Sequence, residues 1–147
     1  MTPTLLGVSH LGFSVPDVAA AIRFWVEVLG FEPMNDDPAF GFVFHREARI
    51  AVVVTDHGRT VLDAFDEHHP GLDHLALAVA DRDDLDQWRS RLDVHGVPHS
   101  GVVESDGGWH LNLRAPGDLP VELFVIGEAF ATSLGLDPVE RAVAGGH

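Results

Sequence analysis

The sequence predicts an α+β fold made of two copies of one strand, helix, three-strand unit, and three observations predict it. The stretch Gly7 to Val15, GVSHLGFSV, returns as Gly71 to Val79, GLDHLALAV, with His10 and His74 at matching places. Each histidine strand is followed by a run of helical period that ends in a glycine, Gly30 in the first copy and Gly96 in the second. Three short strand-like segments then follow each helix. A unit of this length that occurs only twice is too long for a solenoid and reads as two fused modules. With 147 residues and 46% hydrophobic side chains, the chain has material for one core. The expected organisation is a single domain over 1–147: module one about 5–56, a linker about 57–70, module two about 71–126, and a helical tail about 127–147.

Taken in order, the first strand alternates Val8, His10, Gly12 and Ser14 on one face with Ser9, Leu11, Phe13 and Val15 on the other. His10 thus shares its face with small residues, which leaves room beside the imidazole. Pro16 ends the strand and Asp17 is placed to cap the helix that follows. Val18, Ile22, Trp25, Val26 and Leu29 give that helix one apolar face, and Leu85, Trp88 and Leu92 do the same in the second helix. Both tryptophans read as core anchors. Strands are expected at about 31–35, 40–45 and 49–55 in module one, and at about 97–104, 108–114 and 119–126 in module two. Phe40, Phe42 and Phe44 alternate along one of these strands and suit either a pocket lining or a core. The charged joint contains His68 and His69, read as solvated loop residues.

Composition removes several chemistries. There is no cysteine, so disulfides, thiolate catalysis and sulfur ligation are excluded. All nine basic residues are arginine and there is no tyrosine, so neither a lysine Schiff base nor a phenolic acid is available. A net charge of −14 argues against nucleic acid as a partner. No apolar run approaches the roughly 18 residues of a membrane span, and the N-terminus lacks a basic then apolar segment. A soluble, cytoplasmic protein with a small-molecule partner is expected.

Three residues stand apart. His10 and His74 occupy equivalent positions of equivalent strands, and Glu122 lies inside the otherwise apolar strand LPVELFVI, where a carboxylate needs a cation or a strong donor. Aligned on apolar residues, the corresponding strand of module one offers Ala51. Two imidazoles and one carboxylate are the facial triad that binds a divalent metal and leaves positions open for water, oxygen or substrate.

On the strength of VSHLGFSVPD with FWVEVLGF, of PGLDHLALAV, and of APGDLPVEL with Pro116 ahead of Glu122, the region from about Gly7 to Ile126 resembles the vicinal oxygen chelate superfamily. That group includes glyoxalase I, extradiol dioxygenases, fosfomycin-resistance transferases, methylmalonyl-CoA epimerase and bleomycin-binding proteins. The resemblance implies paired βαβββ modules forming a curved, cup-shaped mixed sheet, with His10, His74 and Glu122 holding a metal inside. Ala51 in the remaining slot argues against the four-ligand glyoxalase I and epimerase. The His, His, Glu set resembles that of the Fe(II) extradiol dioxygenases and the Mn(II) fosfomycin transferases. Two departures stand out: Asn112 occupies the place of the extradiol tyrosine, and the potassium loop of the transferases is not recognisable. His110, Asn112 and Arg114 alternate on the strand face that this match turns toward the metal, and are nominated as substrate or oxygen contacts, with His110 a proton shuttle and His45 its analogue in module one.

The reading that follows is an Fe(II) oxygenase or dioxygenase acting on an aromatic or polyketide-like molecule chelated through vicinal oxygens, with Mn(II), Zn(II), Ni(II) or Co(II) as other metals. The alternatives are an antibiotic-sequestering protein and a Mn(II)- or Zn(II)-dependent transferase or isomerase. Family habit adds a homodimer, in which His10 of one chain could meet His74 and Glu122 of the other.

Overall fold

A computed structural model of the chain describes residues 1–136. The part of the expected helical tail beyond that point lies outside the described residues. Two compact units divide between Leu62 and Asp63, inside the predicted linker, and each carries its own four-stranded mixed sheet. The sheet expected from sequence thus consists of two hydrogen-bonded sheets, one per unit.

In the first unit, β1 (His10–Ser14) leads into α1 (Val18–Arg23), which continues as a π-helical turn over Phe24–Val28, and then into β2 (Glu32–Pro33), β3 (Phe40–His45) and β4 (Ile50–Thr55). Asp17 caps α1 by accepting from the Ala20 amide at 2.9 Å, as its position before the apolar run predicts. The regular helix expected up to Leu29 instead widens over its last turn. A wider turn reduces the angular step between neighbours, so adjacent Phe24 and Trp25 are both buried. Strand order is β1-β4-β3-β2, with β1 parallel to β4 and the other pairs antiparallel. Leu11 and Phe13 share the helix side with buried Val43, Val52 and Val54. Trp25 closes this core: it is stacked on Phe13 and meets Phe24 and Phe31 edge-on. The opposite face carries His10, Gly12, Ser14, Ala51, Val53, Phe42 and Phe44 in register.

The second unit repeats the pattern with β5 (Leu75–Ala78), α2 (Arg82–Val94), β6 (His99–Ser105), β7 (Gly108–Ala115) and β8 (Leu119–Ile126), followed by α3 (Glu128–Ser133). Its strand order is β5-β8-β7-β6. Asp81 caps α2 through the Asp84 amide. Strict alternation along β8 buries Leu119, Val121, Leu123 and Val125, and these pack with Leu85, Leu92, Leu111 and Leu113 as the core. Trp88, expected in that core, is only half-buried. Leu85 and Leu92, seven residues apart, take the sheet-facing line of α2, which leaves the indole on its flank.

Asp106 and Gly107 make a two-residue turn that pairs Ser105 with Gly108. Gly108 is in the left-handed region at φ 146°, and a Cβ there would lie 2.0 Å from the Val125 carbonyl oxygen. Only glycine fits, so the β6–β7 hairpin is locked against the end of β8, and the Gly127 amide donates to the Gly107 carbonyl at 2.8 Å.

Candidate metal centre

Register in the second unit decides which side chains meet. Glu122 pairs with Ala76 on β5 and with Asn112 on β7, so the three share one face. His110 pairs with Phe124 and Arg114 with Pro120 on that same face. The small Ala76 side chain leaves Glu122 open on one side. His74 stands immediately before β5, with Nε2 4.0 Å from Glu122 Oε2. Its Nδ1 is 2.6 Å from Asp73 Oδ2. Since a carboxylate only accepts, Nδ1 carries a proton in this contact, and in the neutral ring Nε2 is the nitrogen left with a lone pair, on the side of Glu122. A histidine oriented in this way through its other nitrogen is suited to ligation.

The Glu122 side chain is 13% exposed, and its carboxylate faces an imidazole: His110 Nδ1 lies 3.2 Å from Oε2. The far nitrogen, His110 Nε2, is 2.5 Å from Ser105 Oγ, and the imidazole rests against Phe124 at 4.9 Å. Ser105 was not among the residues singled out by sequence. The Asp106–Gly107 turn was the available signal, since it fixes Ser105 two positions from the partner of His110 on one face.

In the first unit, His10 is exposed on the face opposite α1, with Nδ1 3.1 Å from Ser9 Oγ. Two expectations about this unit need correction. Glu122 sits opposite Ala76, two positions after His74, whereas two positions after His10 the pairing is Gly12 with Val53. Val53, rather than Ala51, therefore occupies the slot equivalent to Glu122, and it too lacks a ligand atom. His45 is not the analogue of His110. It pairs with Ile50, the place taken by the Ala115 and Leu119 pair in the second unit, and Phe40 stands where His110 would be. His45 alternates with buried Val43 toward the helix side, where it packs edge-on against Phe31 and accepts from the Ala48 amide.

Arg114 is also committed elsewhere. Its guanidinium donates twice to Glu67, at 2.7 and 3.1 Å, and once to the Asp118 carbonyl. This fork ties the linker to the β7–β8 turn, as does the Phe65 amide donating to Gly117 O at 2.7 Å. The Arg114 guanidinium holds the Glu67 carboxyl down at about 2, against an ordinary value of 4.5. A depressed carboxyl stabilises the fold above its unfolded value and loses that contribution as pH falls toward its folded value. Replacing Glu67 by Gln is therefore expected to lower the urea midpoint at pH 6, with the gap to the parent narrowing as pH falls from about 4.5 toward 2. A gap that stays constant across that range would contradict the brace.

Asp66, Glu67 and His68 form a separate group of potential ligands on the linker. His68 is exposed, as the sequence predicts, and its Nδ1 is paired with Asp66 Oδ1 at 2.8 Å, while Glu67 is held by Arg114, so these atoms already satisfy one another. Within the second unit, the imidazole of His74 and the part-buried carboxylate of Glu122 are a donor pair suited to a divalent first-row ion, with no sulfur.

Paired βαβββ units of this kind have known counterparts. The chain belongs to the Glyoxalase/Bleomycin resistance protein/Dioxygenase superfamily, which it matches over residues 7–123. It is 23% identical over 143 residues to the Bacillus subtilis (strain 168) protein named "Putative ring-cleaving dioxygenase MhqA", across 94% of this chain and 45% of that protein. The chain thus spans less than half the length of that relative. The glyoxylase/bleomycin resistance protein/dioxygenase domain from Frankia sp. EAN1pec has a similar structure, with TM-score 0.72, 29% identity, and coverage of 84% of this chain and 100% of that one. The fosfomycin resistance protein FosX from Listeria monocytogenes, solved with Mn(II) and sulfate, shares the fold at TM-score 0.68 and 15% identity, covering 89% of this chain and 99% of its own. No helix among the described residues is long and apolar enough to cross a membrane.

Proposed function

We propose that the protein is a metal-dependent oxygenase or dioxygenase acting on an aromatic or polyketide-like small molecule, with Fe(II) as its metal and His10, His74 and Glu122 as the protein ligands. The observation that carries this reading is the 4.0 Å approach of His74 Nε2 to Glu122, with His74 oriented by Asp73. When bound, a metal of this kind supplies Lewis acidity and a one-electron couple at open coordination positions. The remaining work falls to the chain. His110 faces the Glu122 carboxylate, its Nδ1 3.2 Å from Oε2. Asn112, exposed and directly opposite Glu122, offers an amide donor and acceptor to a polar substrate edge. Phe42 and Phe44, with Phe40 beside them at 41% exposure, give the first unit an apolar surface on the face that carries His10, suited to an aromatic ring. Arg114 acts as a brace of the linker. The similarity to the Bacillus subtilis protein named for ring cleavage supports an aromatic substrate.

Protein purified without oxygen is expected to carry iron and to consume oxygen when given catecholic or quinol-type compounds, followed with an oxygen electrode. Absence of both iron dependence and oxygen uptake across such compounds would overturn this reading.

A further inference from the structure

Ser105, His110 and Glu122 occupy three adjacent strands on one face, each diagonal to the next: Ser105 lies two positions from Val103, the partner of His110, and Glu122 lies two positions from Phe124, the partner of His110 on the other side. The two contacts that join them, 3.2 Å from His110 Nδ1 to Glu122 Oε2 and a 2.5 Å hydrogen bond between His110 Nε2 and Ser105 Oγ, have a defined direction. Glu122 only accepts, so the proton between it and His110 belongs to Nδ1; in the neutral ring Nε2 is then an acceptor and takes the Ser105 hydroxyl proton. The competing acceptor for that hydroxyl, the Gly108 carbonyl, is further off at 3.4 Å. The hairpin end that carries Ser105 is itself fixed, because Gly108 sits against the Val125 carbonyl and Gly107 accepts from the Gly127 amide. A rigid turn therefore sets a hydroxyl, the hydroxyl sets an imidazole, and the imidazole sets the carboxylate.

We propose that Ser105 and His110 are positioning residues for the metal site, a relay that holds the Glu122 carboxylate toward His74 and oriented for ligation. The proposal rests on the reading of Glu122 as a ligand. Outer partners of this kind commonly carry a measurable share of metal affinity although they never touch the ion. Asp73 performs the same task for His74 from the other side of the pair, through the 2.6 Å contact to Nδ1.

The test is titration of the metal-free full chain with Mn(II) alone, following free Mn(II) by electron paramagnetic resonance, on the parent and on Glu122→Ala, His110→Ala, His110→Gln, Ser105→Ala and Ser105→Thr. Thermal unfolding of each metal-free variant is recorded alongside, so that loss of fold is seen separately from loss of affinity. The expected result is a roughly 10- to 100-fold weaker affinity for His110→Ala, a smaller loss for Ser105→Ala, and recovery toward the parent in His110→Gln and Ser105→Thr, whose side chains can still donate. If Glu122→Ala abolishes binding while His110→Ala and Ser105→Ala bind as tightly as the parent, the positioning role is overturned and the ligand assignment stands. If the parent does not bind Mn(II), or binds it equally without Glu122, the ligand assignment falls and the positioning role falls with it.

Discussion

Glu122→Ala protein is expected to lose its metal on purification and to bind Mn(II) or Fe(II) more weakly than the parent by well over the ~10- to 100-fold that loss of an outer partner costs. The reason is the contrast between Glu122 and its surroundings. It is the one acidic residue within β8, a strand otherwise made of apolar side chains, and among the described residues it faces His110 and His74. Removing the carboxylate takes away the anionic ligand and the charge that faces His110 Nδ1 at 3.2 Å. That second effect is a folding cost of about 1 kcal/mol or less, because His110 is partly reached by water. Glu122→Gln separates the two effects: it keeps an oxygen facing His110 and the original shape, so metal-free stability should stay near the parent while metal affinity still falls. Elemental analysis of the parent and both variants, together with their urea midpoints, checks this. Full metal content in Glu122→Ala would remove Glu122 from the site.

Trp25→Ala is expected to cost about 3–5 kcal/mol, the range for deleting a fully buried large aromatic side chain. Trp25 is 1% exposed and is enclosed by three phenylalanines: Phe13 stacked at 6.0 Å, Phe24 edge-on at 5.8 Å and Phe31 edge-on at 5.1 Å. These rings come from β1, from the π-helical turn and from the chain just after it, so the indole joins the elements that define the first unit. Against a typical total stability of about 5–15 kcal/mol, such a loss is large enough to unfold the unit at modest denaturant. Urea unfolding followed by far-ultraviolet circular dichroism gives the value. A cost below about 1 kcal/mol, which is the ordinary range for surface changes, would mean that the ring cluster is not the core of this unit.

Much of the fold is legible along the chain because its signals are local. Asp17 and Asp81 precede apolar runs of helical period, and both cap. The alternation of LPVELFVI predicts β8, and that strand buries every second residue over Leu119–Ile126. His10 and His74 stand out by repetition, and Glu122 stands out because it breaks a hydrophobic run. Trp88 shows the limit of such reading. Its helical spacing with Leu85 and Leu92 is right, yet the two leucines alone fill the space under the sheet, and a propensity for the apolar side of a helix does not say how deep that side lies.

The sequence by itself determined the order of the elements, the division into two like units, the outward face that His10 shares with glycine and serine, and the need of Glu122 for a partner. Tertiary structure alone decided what stands opposite what. Period-two alternation says which residues share a face of one strand, but the pairing of β1 with β4 or of β5 with β8 joins residues some forty positions apart, and a shift of two along such a pair changes every neighbour without changing the pattern. That is why Val53 rather than Ala51 answers to Glu122, why His45 faces the helix side while His110 faces Glu122, and why Arg114 is spent on Glu67, a linker residue whose approach no local rule encodes. Ser105 came to light for the same reason: its hydroxyl acquires a role only once the hairpin brings it to His110, and the hairpin is closed by the space that a side chain at Gly108 would have filled.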